Sequence, residues 1–403
     1  MEKPEKAYKG PMDLEWFYHD KNPFALANAL HQEQNWTLAS EMYTQYLKYN
    51  EGTEYDRNMA RLNLAACLMA QCHATKHWAA FDALLDIPES QRISWETILN
   101  NDSLIPTDCY PRKTILVRTD QVGIGDIFHF ISAAFDLRDC TGWNVIISVP
   151  NFLKQTLASP AEEYDFNLIS IISENDTQPT VDYETHLIAL LGHLNLAPTA
   201  IDPEKIIFTA PERAINLVLE AIEPVLGQGN TIAAVFLGEE RQATLIGGKQ
   251  LPRNSNDHGR NLDSEPFKQL LRNHPTLTLI DCSNKKNRVT IDEDQKNQYL
   301  IIPNEAQAFD TTIALARIMS AKKNIIAFGS NNGPTNVFAR SLDHTAQDRM
   351  AFIIPNAKEN DMRMEGKGAV YKQMISHCWV YKCQTPNDQT KVIEQAYHDI
   401  SKY

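Results

Sequence analysis

From Thr114 to the last residue, short apolar runs alternate with longer segments patterned for helix, and this alternation restricts the fold more than any other feature. Thr114-Ile-Leu-Val117, β-branched at both ends, reads as a buried strand. Runs of the same kind are Trp143–Val149, Asn167–Ile172, His186–Leu191, Thr231–Leu237, Leu277–Ile280, Tyr299–Ile302, Asn324–Phe328 and Ala351–Ile354. The segments between them read as helices: Ile127–Arg138, Phe152–Leu157, Pro211–Val225, Pro266–Leu271, Asp310–Met319, Thr335–Leu342 and Gln389–Ile400. Strands and helices in alternation imply parallel, doubly wound sheets. Gly227-Gln-Gly229 breaks the pattern, so two such units are expected, and 403 residues leave room for a further domain in front.

That front part reads as helical from Pro23. Gln34-Asn-Trp-Thr-Leu-Ala39, with Tyr43 and Leu47, fits the second helix of a helical hairpin. Ala39 is small enough to let two helices approach, while Trp36, Tyr43 and Leu47 fill the groove between them. Ala60–Leu68, then His77-Trp78 and Ala80–Leu85, read as a second copy. The pattern resembles tetratricopeptide repeats, with Trp36 and Trp78 42 residues apart against the usual 34 or so. Two units are fewer than the three or so that a solenoid needs to stand alone. The head is therefore expected to pack against the next domain; the alternative is a superhelix that binds a protein partner. Pro88, Pro106 and Pro111 mark the boundary. The expected domains are residues 1–108, 109–228 and 229–403.

A formal net charge of -13 argues against a broadly basic surface for nucleic acid and gives no attraction to anionic lipid. The opening residues MEKPEKAYKGPMDLEW lack the apolar segment of a signal peptide, and no run has the length of a membrane span. Cys67, Cys72, Cys109, Cys140, Cys282, Cys378 and Cys383 are scattered, with no CxxC spacing. No metal site is expected, and the thiols fit a reducing, cytoplasm-like compartment.

Two turns carry the chemistry. The first is Gln121-Val-Gly-Ile-Gly-Asp126, between the Thr114–Val117 strand and the following helix. Gly123 and Gly125 suit a turn that needs φ > 0 or the close approach of another molecule. Asp126 falls in the first turn of the helix, where a carboxylate either caps free amides or stands as a general base at the mouth of a cleft. The second is Gly329-Ser-Asn-Asn-Gly-Pro-Thr-Asn336, again from strand to helix, where backbone amides offer an anion site. A long polar loop between them holds Arg241, Lys249, Arg253, His258 and Arg260, which read as solvated charges or as a small basic pocket for a phosphorylated ligand.

Gly123-Ile-Gly-Asp126 with Phe128 resembles the start of heptosyltransferase-type glycosyltransferases and of bacterial tetratricopeptide-fused relatives, whose motif Gln-Gly-Leu-Gly-Asp is here one residue longer. Asn331-Asn-Gly-Pro-Thr-Asn336 resembles the family's Asp-Ser-Gly-Pro-Met-His, with Asn331 and Asn336 in place of the acid and the histidine. Asn256-Asp-His-Gly-Arg-Asn-Leu262 and Asp182–Leu191 resemble two further stretches of the tetratricopeptide-fused relatives. The resemblance implies an α/β fold of GT-B type: two Rossmann-like domains behind a tetratricopeptide-like helical domain, with the final helix crossing back onto the first. It implies metal-independent sugar transfer from a nucleotide-diphosphate donor to a glycan or protein hydroxyl, with no cofactor. Asp126 would be the base, and Gln121, Gly123, Gly125 and His129 the acceptor-side loop. Lys249, Arg260, Asn331, Asn332, Gly333, Pro334, Thr335 and Asn336 would hold the donor. Loss of the acid and histidine keeps two alternatives open: a non-catalytic relative that binds a partner, or a pyruvyl-type transferase on the same fold.

Overall fold

The computed structural model describes residues 23–33, 35–49, 52–71, 73–85, 87–99, 112–120, 122–158, 169–196, 208–226, 229–238, 245–246, 249–250, 261–283, 288–302, 308–355 and 377–403. Two parallel sheets form its centre. The first contains β1 (Thr114–Arg118), β2 (Asn144–Val149), β3 (Ile169–Ser173) and β4 (Tyr183–His186) in the order β3-β2-β1-β4. The second contains β5 (Thr231–Phe236), β8 (Leu277–Asp281), β9 (Tyr299–Ile301), β10 (Ile325–Gly329), β11 (Met350–Ile354) and β12 (Trp379–Lys382) in the order β12-β11-β10-β5-β8-β9. The segment expected as an open loop holds a short antiparallel pair, β6 (Leu245–Ile246) with β7 (Lys249–Gln250). Every residue of β8, β10 and β11 is buried, as strands covered on both faces must be.

The head has three helices, α1 (Pro23–Gln32), α2 (Trp36–Tyr49) and α3 (Glu54–Ala70), packed side by side around Leu30, Ala39, Tyr43 and Leu64. The second unit is not a copy of the first. Trp78 lies in a 3-10 turn, followed by the five-residue α4 (Ala80–Leu84). This shortened end packs on the first sheet's flank, where Phe81, Leu84 and Ile87 share a cluster with Ala189.

Three sequence expectations are corrected. His186–Leu191 is not a strand: β4 ends at His186, and Leu187–His193 is a helix, α7 in the numbering used below. An apolar run buried all round carries no period to tell the two apart. Ile127–Arg138 is two helices, α5 (Ile124–Phe130) and α6 (Ser132–Thr141), joined at Ile131. β12 was not foreseen, because a half-exposed edge strand reading Trp-Val-Tyr-Lys lacks an apolar run.

The two sheets are not separated by solvent throughout. α8 (Glu212–Leu226) buries Ala214, Val218, Ile222 and Val225 at helical spacing and packs on α10 (Ala308–Ala321), a helix of the second half. One apolar cluster runs from Val117 and Phe128 through Phe309 and Ile313 to Phe236 and Phe338. The Thr156 hydroxyl donates to Asp310 Oδ1 at 2.6 Å across the same boundary. α12 (Gln389–Ile400) buries Ile393, Ala396 and Ile400 against Phe267 and Leu270 of α9 (Glu265–Asn273). Its main contacts lie with α9, β11 and β12.

Candidate functional site

Each sheet has one point where the strand order reverses. In the first, β1 lies between β2 and β4; in the second, β10 and β5 lie side by side with later strands on one flank and β8 and β9 on the other. Ligands of open α/β sheets bind outside the carboxyl ends of the strands at such a point. β1 leads into Gly123 and α5, and β10 leads into α11 (Gly333–Arg340). The two helices meet end to end. A Cβ placed on Gly333 would lie 3.8 Å from Ile124 Cβ and 3.9 Å from the Gly125 nitrogen. A Cβ on Gly125 would lie 3.0 Å from Asn336 Cβ and 3.1 Å from Asn336 Nδ2.

These distances change the reading of the glycines. Gly123 is the N-cap of α5 at φ -64°, ψ 142°, a conformation open to any residue. Gly333 is not left-handed, and its Cβ position is in ordinary contact range. Gly125 is needed for close approach: α11 presses its Asn336 against it. Asp126 is half-buried in the first turn of α5, with interactions of its own. His129, expected on the acceptor-side loop, is buried in the body of α5 at 1% exposure. Gln121 and Arg260 lie outside the described residues, as does the side chain of Lys249 in β7.

In the second turn residues 330–332 are not helical, and the helix expected from Thr335 starts two residues earlier, at Gly333. Asn332 is the N-cap of α11: its Oδ1 accepts from the Thr335 backbone N–H at 3.0 Å and from the Thr335 hydroxyl at 2.9 Å. Its Nδ2 donates to Ser330 Oγ at 3.0 Å. Asn331 and Asn336 are both buried, and Asn336 Nδ2 donates to Asn331 Oδ1 at 3.0 Å. Pro334 has no N–H, the Thr335 amide is taken by Asn332, and the Asn336 amide donates to the Asn332 carbonyl. Among the described residues, the Gly333 amide at the start of α11 has no backbone acceptor.

Several polar residues at the carboxyl end of the first sheet were missed by the sequence reading. Arg118 Nε and Nη2 each donate to one oxygen of the Asp120 carboxylate at 2.8 Å, and its Nη1 reaches Glu184 Oε1 at 2.9 Å. Hydrogen bonds to Asp120, and then to Glu184, make the guanidinium hold its proton more firmly than usual. His186 is fully buried, and burial holds its pKa down at about 4. The one available signal was the two-residue spacing of Arg118 and Asp120, which puts both on one face of an extended chain.

A cavity of about 210 Å³ opens at the carboxyl end of β5, against Gly238, Asn261, Asp263, Ser264 and Arg288. Gly238 is left-handed at φ 95°. Among the described residues, Asn261 Oδ1 and Arg288 Nε are buried without a hydrogen-bond partner. The cavity is smaller than a typical ligand pocket of about 300–1,000 Å³ and has the scale of a phosphate or one sugar ring. No group of His, Cys, Asp or Glu among the described residues is arranged to hold a metal ion. No described helix is long and apolar enough to cross a membrane.

No protein-family model matches the chain, and no curated protein matches it. Among solved structures, it is similar to a glycosyl transferase family 9 protein from Veillonella parvula DSM 2008, with 10% identity, a TM-score of 0.42, and coverage of 70% of this chain and 89% of that one.

Proposed function

We propose that this chain is a glycosyltransferase, moving a sugar from a nucleoside-diphosphate donor to a hydroxyl of a glycan or protein. One observation carries the reading: the Gly123–Asp126 turn and the Asn331–Asn336 turn, each at the reversal point of its sheet, meet within 4 Å. A reaction between two bound molecules needs such a meeting of two ligand sites. On this reading the donor diphosphate lies on the second half. The Gly333 amide and Arg288 stabilise it, and Lys249 and Arg260 are the further cations this reading assigns to it. The acceptor hydroxyl faces Asp126. As the hydroxyl oxygen bonds to the anomeric carbon, its proton passes to the Asp126 carboxylate, and the diphosphate leaves with the electron pair of the broken bond.

A second reading is favoured by one contact. Asn331 and Asn336 bond to each other and Asn336 abuts Gly125, so neutral amides stand where the resembled family has an acid and a histidine. A partner-binding protein without turnover would tolerate that. Thermal shift with UDP, GDP, ADP and their sugars separates the two. A ligand at a hundred times its Kd stabilises by about 2.7 kcal/mol, which is readily seen. A clear rise with one nucleotide supports the transferase; no rise with any of them favours the partner-binding protein.

A further inference from the structure

The helical head reaches Asp120, just ahead of the Gly123–Asp126 turn, through a chain of hydrogen bonds. Asp82, on α4, has no exposed surface. Its Oδ1 accepts from the His186 backbone N–H at 2.8 Å. Its Oδ2 accepts from the Thr185 hydroxyl at 2.9 Å and lies 2.8 Å from His193 Nε2. These partners satisfy a carboxylate whose burial would otherwise be costly. Phe81, the preceding residue, stacks on the His186 ring with centroids 4.4 Å apart and planes 20° from parallel.

The two nitrogens of His186 do different things. Nδ1 accepts from the Ile188 backbone N–H at 3.1 Å and caps α7, so the ring proton sits on Nε2. Nε2 then donates to the Asp120 carbonyl at 2.8 Å. The Asp120 carboxylate is gripped by Arg118. Asp120 is thus fixed at its backbone and at its side chain, just ahead of the turn.

We propose that His186, held by Phe81 and Asp82 of the head, is a positioning residue for the Gly123–Asp126 turn. Its catalytic meaning rests on the transferase reading; the mechanical claim does not. A residue that merely capped α7 would use Nδ1 alone, and the two roles are separable by substitution. The oxygen of Asn can take the place of Nδ1 and keep the cap. The amide nitrogen of Gln can reach the place of Nε2 and donate to the Asp120 carbonyl.

The test is hydrogen–deuterium exchange of the full chain, wild type against His186→Asn and His186→Gln. Loss of one hydrogen bond speeds exchange about five- to tenfold where protection depends on it. His186→Asn is expected to show this over Val122–Ile127, with α11 unchanged. His186→Gln is expected to keep Val122–Ile127 protected while loosening the first turn of α7. Equal behaviour of the two variants over Val122–Ile127 overturns the proposal. Should His186→Asn fail to fold, Phe81→Leu removes the stack and leaves the hydrogen bonds, and it is expected to speed the same amides at least twofold, by the same reasoning; unchanged exchange overturns the proposal again. No substrate enters these measurements. Exchange as expected, together with a nucleotide panel that fails, leaves the positioning role standing and removes the transferase.

Discussion

The meeting of the two turns is tested most directly by a methyl group on Gly125. A Cβ there falls 3.0 Å from Asn336 Cβ, tighter than side chains normally pack. Overpacking a closed contact costs about 1–3 kcal/mol. Gly125 is also the second residue of α5, and replacing glycine by alanine inside a helix gains up to about 1 kcal/mol. Gly125→Ala alone is therefore expected to destabilise by about 0–3 kcal/mol, the difference of those two figures. Asn336→Gly removes the atoms in the way. In that background the overpacking term vanishes and only the helix gain remains, so Gly125→Ala should stabilise by up to about 1 kcal/mol. The coupling energy is then the overpacking term itself, about 1–3 kcal/mol, inside the range measured for residues in contact. Urea denaturation of the four proteins gives the cycle. If the two changes add to within about 0.5 kcal/mol, as distant sites do, α5 and α11 are not in contact in solution and the site built on their meeting falls.

Other outcomes follow from the same geometry. Asp126→Asn keeps size and capping ability, so it should melt close to wild type while turnover drops about a hundredfold or more; near-normal turnover with a working donor would make Asp126 a cap. Asn332→Asp keeps the cap of α11, because Asp and Asn cap about equally, but sets a negative charge beside the diphosphate; nucleotide affinity measured by calorimetry should fall about tenfold or more, and unchanged affinity would put the donor elsewhere. Burial holds His186 and His31 at about 4, below the usual value near 6.5. The unfolded chain binds more protons between those two pH values, so the stability these groups give is complete above about pH 6.5 and is lost as pH falls toward about 4. Denaturation midpoints between pH 7 and 4 should drop less steeply in His186→Gln than in wild type, and equal slopes would contradict the neutral, buried His186.

The sheets were legible because parallel strands leave continuous apolar runs, and eight strands of the two sheets coincide with runs read from the sequence. β12 was missed as a half-exposed edge strand, and β4 shows the limit more sharply. The residues of β4, Tyr183-Glu-Thr-His186, do not alternate in burial, and the apolar run that followed attracted the assignment instead. At the candidate site the two turns were legible as motifs, but their content was not. Asp82 sits a hundred residues before its partners and nothing local marks it. His186 became informative only when Ile188, Asp120, Phe81 and Asp82 were all beside it. Such a constellation has no sequence period, because each partner comes from a different element.

Polar accounting at the second turn also bears on how an anion would be held. A helix N-terminus is a good anion site only while its first amides are free. In α11 the proline removes one amide, and Asn332 claims another with its side chain. An incoming diphosphate must either bind through the Gly333 amide and the cations nearby, or displace the Asn332 side chain from Thr335. Displacement would exchange one hydrogen bond for another at the Thr335 amide. It would also free Asn332 to bond elsewhere, so its net cost is about the worth of a helix cap, roughly 1 kcal/mol. A charge-assisted bond to the phosphate, worth about 1.5–3 kcal/mol, exceeds that cost. On the proposed reading the cap therefore does not close the site, since a phosphate oxygen can take the place of the Asn332 oxygen at the Thr335 amide. The Asn336–Asn331 hydrogen bond does not involve the Asn332 side chain, so that exchange leaves it intact.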